Sequence, residues 1–166
     1  MSYVCGCCGK VHAELSRYTM WQIPELTEDE EDQLEFDGKH IARAGARCFV
    51  RCEVEVPFPE PSEKPMGFIC WAEVSVLDYT RYVAYRGRKK ERGGFREWVE
   101  GKLANPVPAV PDSLGTKVRF EVVKGDPMPY VKWVEPNSSL ARRISEGANP
   151  EFWHEALGLS ITGVEG

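Results

Sequence analysis

The chain has no apolar run approaching the roughly 18–20 residues that a membrane-crossing helix requires. Its first ten residues, Met1 to Lys10, hold no basic segment followed by an apolar core, so no secretory leader is expected and a cytoplasmic location is. There is no basic excess. The formal charge is −5, which argues against a general nucleic-acid binder. Gly-x-Ser-x-Gly, Walker, dinucleotide and His-Glu-x-x-His signatures are all missing, so nothing local marks a catalytic centre. Histidine occurs three times only, which leaves few candidates for imidazole chemistry.

What is present suits one domain. At 166 residues the chain can bury about two-thirds of its unfolded surface, enough to fold without a covalent staple. The expected organisation is a single domain over 1–166, with a knuckle and acidic helix in 1–45, a sheet core in 46–135 and C-terminal helices in 136–158.

The periodicity is informative in the middle of the chain. From Arg47 to Val56 it is two: Cys48, Val50, Cys52, Val54 and Val56 on one side, Arg51, Glu53 and Glu55 on the other, with Phe49 as an exception. Pro57, Pro59, Pro61 and Pro65 end that strand. Phe68, Cys70, Ala72, Val74 and Val76 form the face of a second strand, and Ser75 with Asp78 marks a helix start behind it. Thr27 followed by Glu30 is a capping box opening a short acidic helix. Residues 93–113 read as irregular, with a turn of helix at most. Val118, Phe120 and Val122 alternate as a third strand, and Tyr130 to Val134 returns as a fourth. Pro129 confines that fourth strand to an edge or an unpaired position. Leu140 and Ile144 share a helical face, and Asn149-Pro150 caps a last helix. The predicted fold is α+β: an antiparallel sheet of about four strands, helices on one face, and an N-terminal zinc-knuckle-like segment.

Six cysteines without a secretory leader suit reduced thiols or metal ligands better than disulfides. Cys5-x-x-Cys8-Gly9 has the form of a metal knuckle, because two thiolates at this spacing reach one ion and the glycine permits the tight turn. His12 follows within reach as a third ligand. His40 is the first choice for the fourth, and Cys7 is the local alternative. The expected cofactor is one structural zinc per chain, held by Cys5, Cys8, His12 and His40. Cys48 and Cys52 would be about 13 Å apart along an extended strand and cannot share an ion. Together with Cys70 they read as buried, reduced packing residues.

Charge is unevenly spread. Residues 25–35 carry seven acids, including Glu28 and Glu31, and no base, whereas 86–96 carry six bases, including Arg88, Lys89 and Lys90, against Glu91 alone. Solvated surface is the plain meaning of such runs, and a partner-docking patch is the functional one.

The blocks Cys5-Gly6-Cys7-Cys8-Gly9-Lys10-Val11-His12, Phe49-Val50-Arg51 leading to Glu55-Val56-Pro57, Trp71-Ala72-Glu73-Val74-Ser75 and Gly101-Lys102-Leu103-Ala104-Asn105-Pro106 resemble, in order and spacing, a bacterial family called domain of unknown function 2199. The resemblance implies the ligand set Cys5, Cys8 and His12. The family pattern carries one further cysteine that falls at Ile41, beside His40. It brings no activity. The function expected from residues and resemblance together is a zinc-stabilised cytoplasmic, non-catalytic module that binds an unidentified protein partner, an immunity protein being one concrete form. The alternatives are a thiol-redox or zinc-dependent hydrolytic enzyme, or an anion or RNA site on the basic loop.

Overall fold

A computed structural model describes residues 3–4, 11–12, 18–58, 65–87, 97–122, 128–149 and 151–156. The strands are β1 (Tyr3–Val4), β2 (Val11–His12), β3 (Tyr18–Met20), β4 (Leu34–Gly38), β5 (Ile41–Ala44), β6 (Arg47–Val56), β7 (Met66–Val74), β8 (Glu97–Leu103), β9 (Lys117–Val122) and β10 (Tyr130–Val134). The helices are α1 (Glu28–Glu31), α2 (Val76–Gly87) and α3 (Ser139–Glu146), followed by a helical stretch at 151–156.

The framework is the long β6–β7 hairpin, paired in register from Cys48↔Val74 to Val56↔Met66. Each of its strands has two further neighbours along its outer edge. β6 pairs with β5 through Arg47–Val50 and then with β10 at Glu53. β7 pairs with β3 through Gly67–Ile69 and then with β8 through Ala72–Val74. Because β8, β9 and β10 form an antiparallel meander, the β10–β6 contact closes a ring of five strands. An odd number of meandering strands must meet in parallel at the seam, and Tyr130↔Glu53 is parallel.

This overturns the expected four-stranded antiparallel sheet with helices on one face. The molecule is a closed mixed barrel, extended by β3, β5 and β4 into an eight-stranded sheet among the described residues. Nor is a zinc knuckle part of the described fold, since residues 5–10 lie outside the described residues. The β4–β5 pair was missed because the positions that share the inward Cys48 face, Glu35 and Arg43, are charged. The strand β8 was missed because its inward face, Val99-Gly101-Leu103, is broken by a glycine. That glycine is required: a Cβ at Gly101 would lie 2.8 Å from the Glu73 carbonyl oxygen on β7. Pro129 does not leave β10 at an edge. Its carbonyl accepts the Glu53 amide at 3.0 Å, so a residue without a donor still makes the closure.

The barrel interior is filled by side chains, as a five-stranded barrel must be. Val50, Cys52, Val54, Met66, Phe68, Cys70, Val118 and Phe120 are all fully buried there. Tyr79 and Tyr82 of α2 join this core. So do Leu140 of α3 and Phe152, Trp153 and Ala156. Ser75 caps α2 by accepting the Asp78 amide, and Asn149 caps the last helical stretch by accepting the Phe152 amide at 2.8 Å. Phe49 is no exception to the alternation. It faces outward into a second, smaller core with Ala42, Ala44, Trp71 and Ala104, which Trp21, Leu26 and Leu34 cover.

Candidate functional site

Three of the four resembling blocks, those of Phe49–Arg51, Trp71–Ser75 and Gly101–Pro106, meet at this second core, where they hold backbone rather than offer chemistry. Residues 21–26 run as an arm across the sheet. The Trp21 amide donates to the Ile69 carbonyl at 3.0 Å, and the Glu25 amide to the Ala104 carbonyl at 2.7 Å. Between those points side chains take over. Asn105, 1 % exposed, accepts the Trp71 amide at 2.8 Å and donates to the Ile23 carbonyl at 2.9 Å. The two indoles reciprocate: Trp21 donates to the Pro106 carbonyl at 3.0 Å and Trp71 to the Trp21 carbonyl at 3.2 Å. Arg51 donates to the carbonyls of Trp21 and Gln22, each at 3.1 Å, with its guanidinium 4.6 Å from the Trp71 ring. Burial lowers the Arg51 pKa, and its Nε has no hydrogen-bond partner. Thus Trp71, Asn105 and Arg51 form a latch for the arm.

The acidic segment is held as firmly. Glu30 closes the capping box with Thr27 and accepts Arg47 Nη1 at 2.8 Å, while Arg47 also grips both oxygens of Glu73, at 3.2 and 2.9 Å. The Thr27 amide first, and Arg47 second, pull the Glu30 pKa down. Glu28, Asp29, Glu31 and Asp32 stay exposed around it. The expected surface helix is therefore present, and one of its acids anchors it rather than facing solvent. On β4, Asp37 accepts Arg43 at 2.8 Å and the Tyr79 hydroxyl of α2, and these bonds lower its pKa in that order.

The expected zinc ligands are only partly placed. Cys5 and Cys8 lie outside the described residues, as do Cys7 and the basic residues Arg88, Lys89 and Lys90. His12 stands in β2 opposite Tyr3, and Val11 opposite Val4, in a separate two-stranded sheet that brackets residues 5–10. His40 occupies the β4–β5 turn of the large sheet, where its carbonyl accepts the Arg51 amide at 2.8 Å. Among the described residues no three His, Cys, Asp or Glu side chains group as a cation site. Cys48, Cys52 and Cys70 are free thiols, buried as expected. Burial raises all three pKa values, that of Cys52 to about 12, so none is a ready nucleophile.

Sequence reasoning missed Glu53, a carboxyl only 5 % exposed at the barrel seam. Burial and then the neighbouring Glu55 raise its pKa, against a hydrogen bond from Tyr130. It gave no local signal, since its strand position alone marks it as an outward, solvated acid. No described helix is long and apolar enough to cross a membrane.

A family model described as "Uncharacterized protein conserved in bacteria (DUF2199)" matches residues 4–148. No curated protein and no solved structure matches the chain.

Proposed function

The chain belongs to the DUF2199 family of uncharacterised bacterial proteins, and from that premise we propose that it is a non-catalytic, zinc-stabilised module that binds a protein partner through α1. One observation carries the reading: an exposed acidic helix whose position is fixed from beneath. Glu28, Asp29, Glu31 and Asp32 form a dense patch of one sign, while Glu30, Thr27 and Arg47 tie the helix to β6 and β7. Preorganised charge of this kind steers encounter with a cationic surface and loses little entropy on docking. A barrel packed with side chains supports a surface role over a lumenal one.

Zinc enters as the tie for the segment ahead of the arm. Cys5 follows β1 in the sequence, and His12 belongs to the strand that pairs with β1. Two thiolates and one imidazole from Cys5, Cys8 and His12 would leave the fourth position to His40 or Cys7. The metal would fasten this segment, with the sheet core folding on its own.

Capture of partners from the native cell with chemical cross-linking tests the proposal. Cross-links should map to α1, and the double reversal Glu28→Lys, Glu31→Lys should abolish them with the circular dichroism spectrum unchanged. Cross-links unaltered by the reversal, or substrate turnover lost with Cys5→Ser, would replace this reading with another surface or an enzyme.

A further inference from the structure

β4 ends the sheet, paired with β5 along one edge and, among the described residues, with no strand along the other. The direction of its main-chain groups follows from one bond. The Arg51 amide donates to the His40 carbonyl at 2.8 Å, so the odd-numbered residues of β6 turn their main chain toward β5. That direction alternates along each strand, and the register carries it outward. Ala42, opposite Phe49, faces β6; Arg43 faces β4; and Glu35, opposite Arg43, faces back toward β5. Leu34 and Phe36 therefore turn their amides and carbonyls to the open edge. Phe36 is 52 % exposed, with its ring 6.0 Å from that of Trp71, and Leu34 packs on the same second core. Glu35 lies on the other face of the sheet, its side chain 72 % exposed. An open edge with an apolar ring beside it is a template for one more strand.

Charge decides what that strand is. Residues 25–38, which hold α1 and β4, carry eight acids and no base. The bases set against them are few. Arg43 bonds Asp37 at 2.8 Å and reaches Glu35 only at 3.4 Å, Arg47 divides itself between Glu30 and Glu73, and Lys39 stands exposed in the adjoining turn. A second copy fits poorly, because two β4 strands laid antiparallel about Phe36 would set Glu35 against Asp37 twice. We infer that β4 accepts an extended segment of a cationic protein as an added antiparallel strand, one that alternates apolar and basic residues. Its apolar residues lie opposite Leu34 and Phe36 and make the main-chain bonds, since antiparallel residues that exchange such bonds face each other directly. The basic residue between them meets Glu35. The inference rests on the reading of this protein as the binder of a protein partner and names the chemistry of the segment it takes: the acids of α1 steer the segment, and β4 holds it.

Fluorescence anisotropy of the full chain with a fluorescein-labelled peptide of about nine residues, alternating lysine and valine, tests it. The peptide should bind at low salt, and more tightly than one of the same composition arranged as a lysine block and a valine block. N-methylation of the valine amides should abolish binding, whereas N-methylation of the lysine amides should be tolerated, because only the valine amides face β4. Phe36→Pro removes an outward amide and no β5 bond, so it should bind about 2- to 10-fold more weakly than Phe36→Ala. Circular dichroism checks both variants, and the methylated peptides carry the test even if the proline disturbs the strand. Absence of binding at low salt, or binding indifferent to valine methylation, overturns the inference. So does concentration-dependent dimerisation that Phe36→Pro removes, which would assign the edge to a second copy. Binding lost on Glu28→Lys with Glu31→Lys but indifferent to methylation overturns the inference and leaves the α1 proposal intact. Methylation-sensitive binding that ignores this reversal upholds the inference and removes α1 from the contact.

Discussion

Asn105→Ala is the sharpest probe of the latch. The side chain is 1 % exposed and serves two backbone groups that no strand partner reaches, the Trp71 amide and the Ile23 carbonyl. Leaving the Trp71 amide buried and unpaired costs about 1–3 kcal/mol. Ile23 is 36 % exposed, so water can replace the lost donor there and the additional loss is about 0.5–1.5 kcal/mol. The total is roughly 2–4 kcal/mol, which for a chain of this size is a fall in Tm of about 5–12 °C. Urea unfolding gives the energy, and amide exchange gives the location. The Trp71 and Glu25 amides should exchange faster than in the native protein, while those of Cys52 and Cys70 change no more than global stability demands. Asn105→Asp, which keeps the acceptor, should protect Trp71 but not the Ile23 contact. A loss below about 0.5 kcal/mol, with Trp71 exchange unaltered, refutes the latch.

Glu53 holds its proton more tightly folded than unfolded, so its contribution to stability is complete in acid and is lost as pH rises through its elevated folded pKa. Glu53→Gln should therefore raise Tm relative to the native protein near pH 8, by a few degrees, with the gain shrinking toward pH 4. Asp37 works in the opposite sense, its depressed pKa adding stability above the ordinary carboxylate range that is lost in acid. Thiol labelling should spare Cys48, Cys52 and Cys70 in the native state and reach all three in denaturant, with Cys52→Ala costing on the order of 1 kcal/mol. Elemental analysis of protein purified without added metal should find about one zinc per chain, and Cys8→Ser should remove it while leaving the sheet folded.

Local chemistry made the hairpin and the caps legible. The β6 strand follows from five alternating apolar residues, and Thr27, Ser75 and Asn149 announce helix starts because their oxygens take amides that the first turn leaves bare. Barrel closure was not legible, because a single parallel pair between residues 53 and 130 carries it and no local pattern encodes such a contact. Gly101 hid β8 for a reason visible only once β7 is beside it. Asn105 and Arg51 belong to blocks that look functional, yet their bonds go to main-chain carbonyls and an amide. A sequence shows that such a residue is polar in an apolar setting and cannot show what it satisfies.

The association rate of a captured partner, followed by stopped flow against ionic strength, tests the binding account most directly. The account predicts a rate that falls with salt and falls again when Glu28 and Glu31 are reversed to lysine, with the dissociation rate much less affected. An association rate indifferent to both salt and reversal would contradict it and leave α1 as solvated surface.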